Sequence, residues 1–100
     1  MSIPLPNSLD ILGTDVELEV QDLEDAFGEW DLTNCKITIA PQEHPDYQRV
    51  TLLHEVVHAI DDFLGLGLTH KEVYGISQSI FNVLKKNPEF SEWLTSRPRQ

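Results

Sequence analysis

The sequence predicts an α+β fold, with a small three-stranded antiparallel sheet packed on two main helices and a short C-terminal helix. Two observations lead there. Apolar residues recur at every second position in parts of residues 14–40, and a period near 3.6 replaces that alternation beyond Pro45. The chain has 100 residues, which make one domain near the lower end of what buries a self-sufficient core.

Residues 1–13 carry Pro4, Pro6 and Gly13 and read as an extended lead-in. Val16, Leu18 and Val20 alternate with Glu17, Glu19 and Gln21, which marks a strand with one buried face. A weaker strand candidate, containing Phe27 and Trp30, runs from Ala26 to Leu32. Asp31 to Asn34 supply turn residues, and the alternation resumes from Cys35 to Ala40 with Ile37 and Ile39 inward. Short strands joined by tight turns predict a meander, with the 35–40 strand as an edge strand beside the following helix.

Pro41 and Pro45 end the sheet, and Asp46 is the expected cap of a helix reaching about Leu64. Its inward stripe is Leu53, Val56, Val57, Ile60 and Leu64. The Gly65-Leu66-Gly67-Leu68 segment stops it, because glycine readily takes the left-handed conformation after a helix C-terminus. Thr69 opens a second helix with Val73, Ile76, Ile80 and Leu84 inward. Asn87 and Pro88 read as cap and first-turn proline of a short helix to Leu94. The folded domain thus covers residues 14–94, and residues 95–100 form a polar tail.

The formal net charge is -10, from 17 acidic and 7 basic side chains. Nucleic-acid surfaces need clustered Lys and Arg, and the basic residues here gather only at Lys85-Lys86 and at Arg97 and Arg99. No apolar run approaches ~18 residues and no signal-like segment opens the chain, so neither a membrane nor export is expected. A single cysteine, Cys35, excludes an internal disulfide and fits a cytoplasmic protein, with Cys35 as a small core residue.

The chemistry is concentrated in His54-Glu55-Val56-Val57-His58, which fits H-E-x-x-H. Positions i and i+4 share a helix face, so both imidazoles can point at one ion. Glu55, one residue round, can reach a water on that ion without binding it. Zinc with three protein ligands keeps an open position and lowers the pKa of its water to about 7. A carboxylate beside that water can take its proton and pass it to a leaving amine.

Glu72 on the second helix is the candidate third ligand. It is also the last residue of Thr69-His70-Lys71-Glu72, a capping box, and the two roles compete. Gly75 favours ligation: it is expected on the same face as Glu72, where a missing side chain would let the helices approach beside the ion. Asp61 is either a hydrogen-bond partner for a ligand histidine or an exposed acid. Leu64 stands where a metzincin-like pattern would place a third histidine. Candidates for an oxyanion donor are His44, Tyr47 and His70, while Tyr74 should face elsewhere.

The stretch T-L-L-H-E-V-V-H-A-I, then L-G-L-G-L, then E-V at 72–73 resembles small gluzincin-type zinc metallopeptidases. It is similar to short metallopeptidases carried by bacteriophages and to the ImmA/IrrE type. The resemblance implies a minimal zincin-like fold, zinc held by His54, His58 and Glu72, Glu55 as general base, and a peptide or protein substrate. A phage-encoded protein of this kind would act in the host cytoplasm. The ImmA/IrrE type is usually larger, with more elements walling the cleft. A second reading is a non-catalytic binding module, in which zinc closed by a fourth ligand, His70 or His44, stabilises a surface for a protein partner. A third has no metal, with Glu72 serving only as a cap.

Overall fold

A computed structural model describes residues 3–42 and 44–98, so the ends of the lead-in and of the polar tail, Arg99 included, lie outside the described residues. The elements are strands β1 (Ser8–Ile11), β2 (Thr14–Val20), β3 (Gly28–Asp31) and β4 (Lys36–Ile39). Helices α1 (Pro45–Leu64), α2 (His70–Lys86) and α3 (Pro88–Thr95) follow. The α+β class is as expected. The sheet is not.

Four strands form one mixed sheet in the order β1-β2-β4-β3. The additional strand, β1, lies in the segment read as a lead-in. Its Leu9 and Ile11 have the inward period of two, and it pairs antiparallel with β2 through a two-residue turn at Leu12 and Gly13. Both turn residues have positive φ, 53° and 87°, as the favoured two-residue hairpin turn requires. Leucine in the first of those positions is the reason the turn is hard to read from sequence.

The second correction concerns β4. Residues 21–27 carry the chain past it, so β3 forms first on the outside and β4 returns between β2 and β3. β2 and β4 are parallel, with Leu18 opposite Ile37 and Val20 opposite Ile39. β3 and β4 are an antiparallel hairpin. The 35–40 strand is therefore interior, and the free edge beside α1 belongs to β3.

Ile11, Val16, Leu18, Ile37 and Ile39 form the core with Ala59 of α1, and Leu52, Val56, Ile60 and Phe63 pack against them. Cys35 packs at the margin of the same cluster. Trp30 of β3 meets Phe63 edge to face, and its Nε1 donates to Asp62 at 2.7 Å. That contact locks β3 to α1.

α1 starts at Pro45, with His44 as its cap. The His44 Nδ1 accepts the Asp46 N–H at 3.1 Å, so Asp46 is a first-turn acid and not the cap. Asp46 instead receives Arg49 and, from the far end of α2, Lys85. Gly65, with φ 62°, ends the helix as expected, and Leu64 is exposed beside it.

On α2 the buried residues are Val73 and Ser77, whereas Ile76 and Ile80 stay partly exposed. The face turned to α1 is thus rotated from the expected stripe. Asn87 closes α2 by donating from Nδ2 to the Val83 carbonyl and makes no side-chain cap for α3. Among the described residues no helix is long and apolar enough to cross a membrane.

Candidate metal centre

α1 is a three-sided rod. Leu52, Val56, Ala59 and Ile60 face the sheet, His54 and His58 face α2, and Thr51 and Glu55 face β3. The i,i+4 spacing does what the sequence requires of it: the Nε2 atoms of His54 and His58 are 3.1 Å apart. Two ligands of a tetrahedral zinc ion at 2.0–2.1 Å lie about 3.3 Å apart, so the pair is spaced for one ion.

The third residue at this place is His70. One ring nitrogen from each of His54, His58 and His70 falls in a group whose members lie within 4.8 Å of one another. The His70 ring is centred 5.0 Å from that of His54 and stacks 5.5 Å from that of His58. Three imidazole nitrogens this close together are a donor set able to hold a metal ion, and imidazole suits zinc among others.

Glu72 does not join them. Its Oε1 accepts the Thr69 N–H at 2.8 Å while the Thr69 hydroxyl accepts the Glu72 N–H at 3.1 Å. These bonds complete the capping box and hold the Glu72 carboxyl below its ordinary value. The carboxylate thus points back along its own helix, and Glu72 lies with Gly75, Ile76 and Ile80 on the side away from the histidines. Gly75 has nothing within 4 Å of where a Cβ would stand, so it does not serve a close helix approach. His70 occupies the place expected for Glu72 because the first residue of α2, not the third, faces α1.

The neighbouring expectations change accordingly. Asp61 accepts the Leu68 N–H at 3.0 Å and so ties down the glycine turn, without a bond to a histidine. His44 is spent on its cap, and Tyr47 leans on it with ring centroids 5.3 Å apart. Tyr74, expected to face elsewhere, lies 6.3 Å from His54, because positions 70, 74 and 77 share one face. Ser77, whose Oγ lies 3.5 Å from His54 Nδ1, was not singled out by sequence.

Glu55 is 6 % exposed. It opens on a pocket of about 270 Å³ lined also by His54, His70, Thr51, Tyr74 and Gln78, with Ala26, Phe27 and Gly28 on the sheet side. Burial, with a smaller push from Glu29, raises its pKa to about 7. Burial lowers the pKa of His54, helped by His58 and His70. His58 is lowered by burial and His70 against an opposing pull from Asp61 and Asp62. Neutral imidazoles are the form that binds a metal.

The chain matches no protein-family model, no curated protein and no solved structure.

The geometry of the site predicts a pH effect on the metal-free protein. The folded state holds the Glu55 proton more tightly than the unfolded chain, whose ordinary value is 4.5. Its favourable contribution is complete below pH 4.5 and is lost as the pH rises through about 7. His54 and His58 act in the opposite sense, since folding disfavours their protonation. Denaturant unfolding of wild type and Glu55→Gln isolates the carboxylate. Between about pH 5 and about pH 8 wild type should lose up to roughly 3 kcal/mol relative to the variant. A constant difference would mean that Glu55 ionises freely in the fold.

Proposed function

We propose that this chain is a metal-dependent peptidase in which His54, His58 and His70 hold a zinc ion and Glu55 is the general base. The observation that carries this reading is that Glu55 lines one pocket together with His54 and His70, two members of the three-histidine group. A bound zinc ion supplies Lewis acidity, polarising a carbonyl oxygen and making water acidic enough to react near neutral pH.

The chain's own residues supply the rest. Glu55, with its proton affinity already raised toward neutrality, is matched to taking a proton from water and delivering it to a leaving amine. Its seat against Gly28 keeps the carboxylate directed into the pocket. Tyr74 and Gln78 bring hydroxyl and amide donors to the same space, where charge develops on a carbonyl oxygen. The free edge of β3 borders the pocket and offers backbone groups to an extended peptide.

A closed, purely structural zinc site would add His70 or His44 as a fourth ligand beside His54, His58 and Glu72. His70 does lie with the histidines, but the other donors that set needs are bonded in helix caps. His44 caps α1 and Glu72 caps α2. An ion held by His54, His58 and His70 alone would have only three protein ligands, the number typical of catalytic zinc sites.

The test is hydrolysis of a mixed peptide library by zinc-loaded protein, wild type and Glu55→Gln, with metal content measured on both. Equal zinc and a rate lower by about 10²–10⁴ in the variant is the expected result. Zinc binding by wild type without cleavage of any peptide would return the site to a structural role.

A further inference from the structure

We propose that Ser77 is a positioning residue that holds His54 in the tautomer protonated on Nδ1, so that the Nε2 lone pair is ready for an ion. The inference rests on the three-histidine reading of the site.

Ser77 is fully buried on α2, facing α1. Its Oγ lies 2.8 Å from the Val73 carbonyl, 3.1 Å from the Tyr74 carbonyl and 3.5 Å from His54 Nδ1. A hydroxyl has one proton and two lone pairs. Both carbonyls only accept, so the proton goes to the nearer of them, Val73, as helical serines commonly do. The lone pairs are then the part of Ser77 left for His54. An unprotonated Nδ1 would set its own lone pair against them. A protonated Nδ1 donates into them.

Protonation on Nδ1 leaves Nε2 bare, and Nε2 is the atom that faces His58 Nε2 at 3.1 Å. In the metal-free protein His58 then donates from Nε2 to His54. The ligand atom of His54 is therefore directed by the opposite helix before any ion arrives. An orienting partner on the far ring nitrogen is the general way a histidine ligand is fixed. Here a neutral serine fills that part, and Asp61, three residues from His58, is occupied by the turn.

The experiment is nitrogen NMR of the imidazoles in metal-free protein at about pH 8, with His54 assigned through a His54→Asn variant. Wild type should show His54 protonated on Nδ1 and bare on Nε2. Ser77→Ala should shift the tautomer population toward Nε2–H and lower zinc affinity by about 10–100-fold, read by chelator competition. A His54 protonated on Nε2 in wild type overturns the proposal, and so does a Ser77→Ala protein with unchanged tautomer and affinity. The wild-type spectrum decides even if the variant folds poorly. Failure of the peptidase reading would register as absent hydrolysis or absent zinc, neither of which alters the tautomer in the metal-free protein.

Discussion

Replacing His70 with alanine should lower zinc affinity by at least about ten- to a hundredfold, while Glu72→Ala should still bind one ion per chain. Loss of an orienting partner alone costs a site ten- to a hundredfold, and loss of one of three ligands should cost no less. His70 belongs to the group of three whose ring nitrogens lie within 4.8 Å of one another. Glu72 is bonded to the Thr69 backbone and exposed to solvent, so its removal loosens the start of α2, where His70 sits, without deleting any of the three histidines. The Glu72 variant should accordingly show a reduced Tm with near-native metal content. Chelator competition and metal analysis on both proteins make the check. The reverse pattern, with zinc lost in Glu72→Ala and kept in His70→Ala, would restore Glu72 as the third ligand and mean that the capping box opens when metal binds.

Gly28→Ala is expected to be nearly inactive as a peptidase while keeping its zinc. A Cβ at position 28 would stand 2.7 Å from the Thr51 methyl, 3.0 Å from Glu55 Oε2 and 3.1 Å from Glu55 Cγ. The Thr51 methyl is carried on a helix turn and gives little, so the flexible Glu55 side chain must move or β3 must lift. Overpacking of this kind costs about 1–3 kcal/mol. A misplacement near 1 Å of a catalytic group costs about a hundredfold in rate, which sets the lower bound of the expected loss. His54 and His58 lie on another side of α1, so zinc affinity should change little. Full activity in Gly28→Ala would mean that β3 does not seat Glu55.

The helical half of this fold was largely legible because its signals are local. Gly65 ends α1, Thr69 caps α2 and Pro88 opens α3, each through chemistry confined to a single turn. The sheet was less legible because strand order is a non-local choice. Residues 21–27 are long enough either to return beside β2 or to cross beyond β4, and nothing within them distinguishes the two. β1 was hidden by Pro4 and Pro6 just before it and by a hairpin turn with leucine at a position of positive φ.

The same distinction runs through the site. The spacing that aims His54 and His58 at one point is internal to α1. Which residue of α2 meets them depends on the rotation of α2 against α1, and an apolar stripe of Val73, Ile76, Ile80 and Leu84 suggested the wrong phase. Val73 and Ser77 are the residues buried there. A serine among the apolar candidates carries no recognisable pattern, and its relation to His54 is visible only in three dimensions. Glu72 was ambiguous for a physical reason, since a capping carboxylate and a metal-binding carboxylate look alike in sequence.

The placement of the three histidines has a kinetic corollary. His54 and His58 sit in the middle of a 20-residue helix, where opening requires much of the domain to come apart. His70 is the first residue of its helix, directly after the turn held by Asp61 and the Thr69–Glu72 box. Helix ends fray at far lower cost than helix centres. At the proposed site the residence time of an ion should therefore be governed at His70, with Asp61 and Glu72 acting on it only through the turn and the cap they hold.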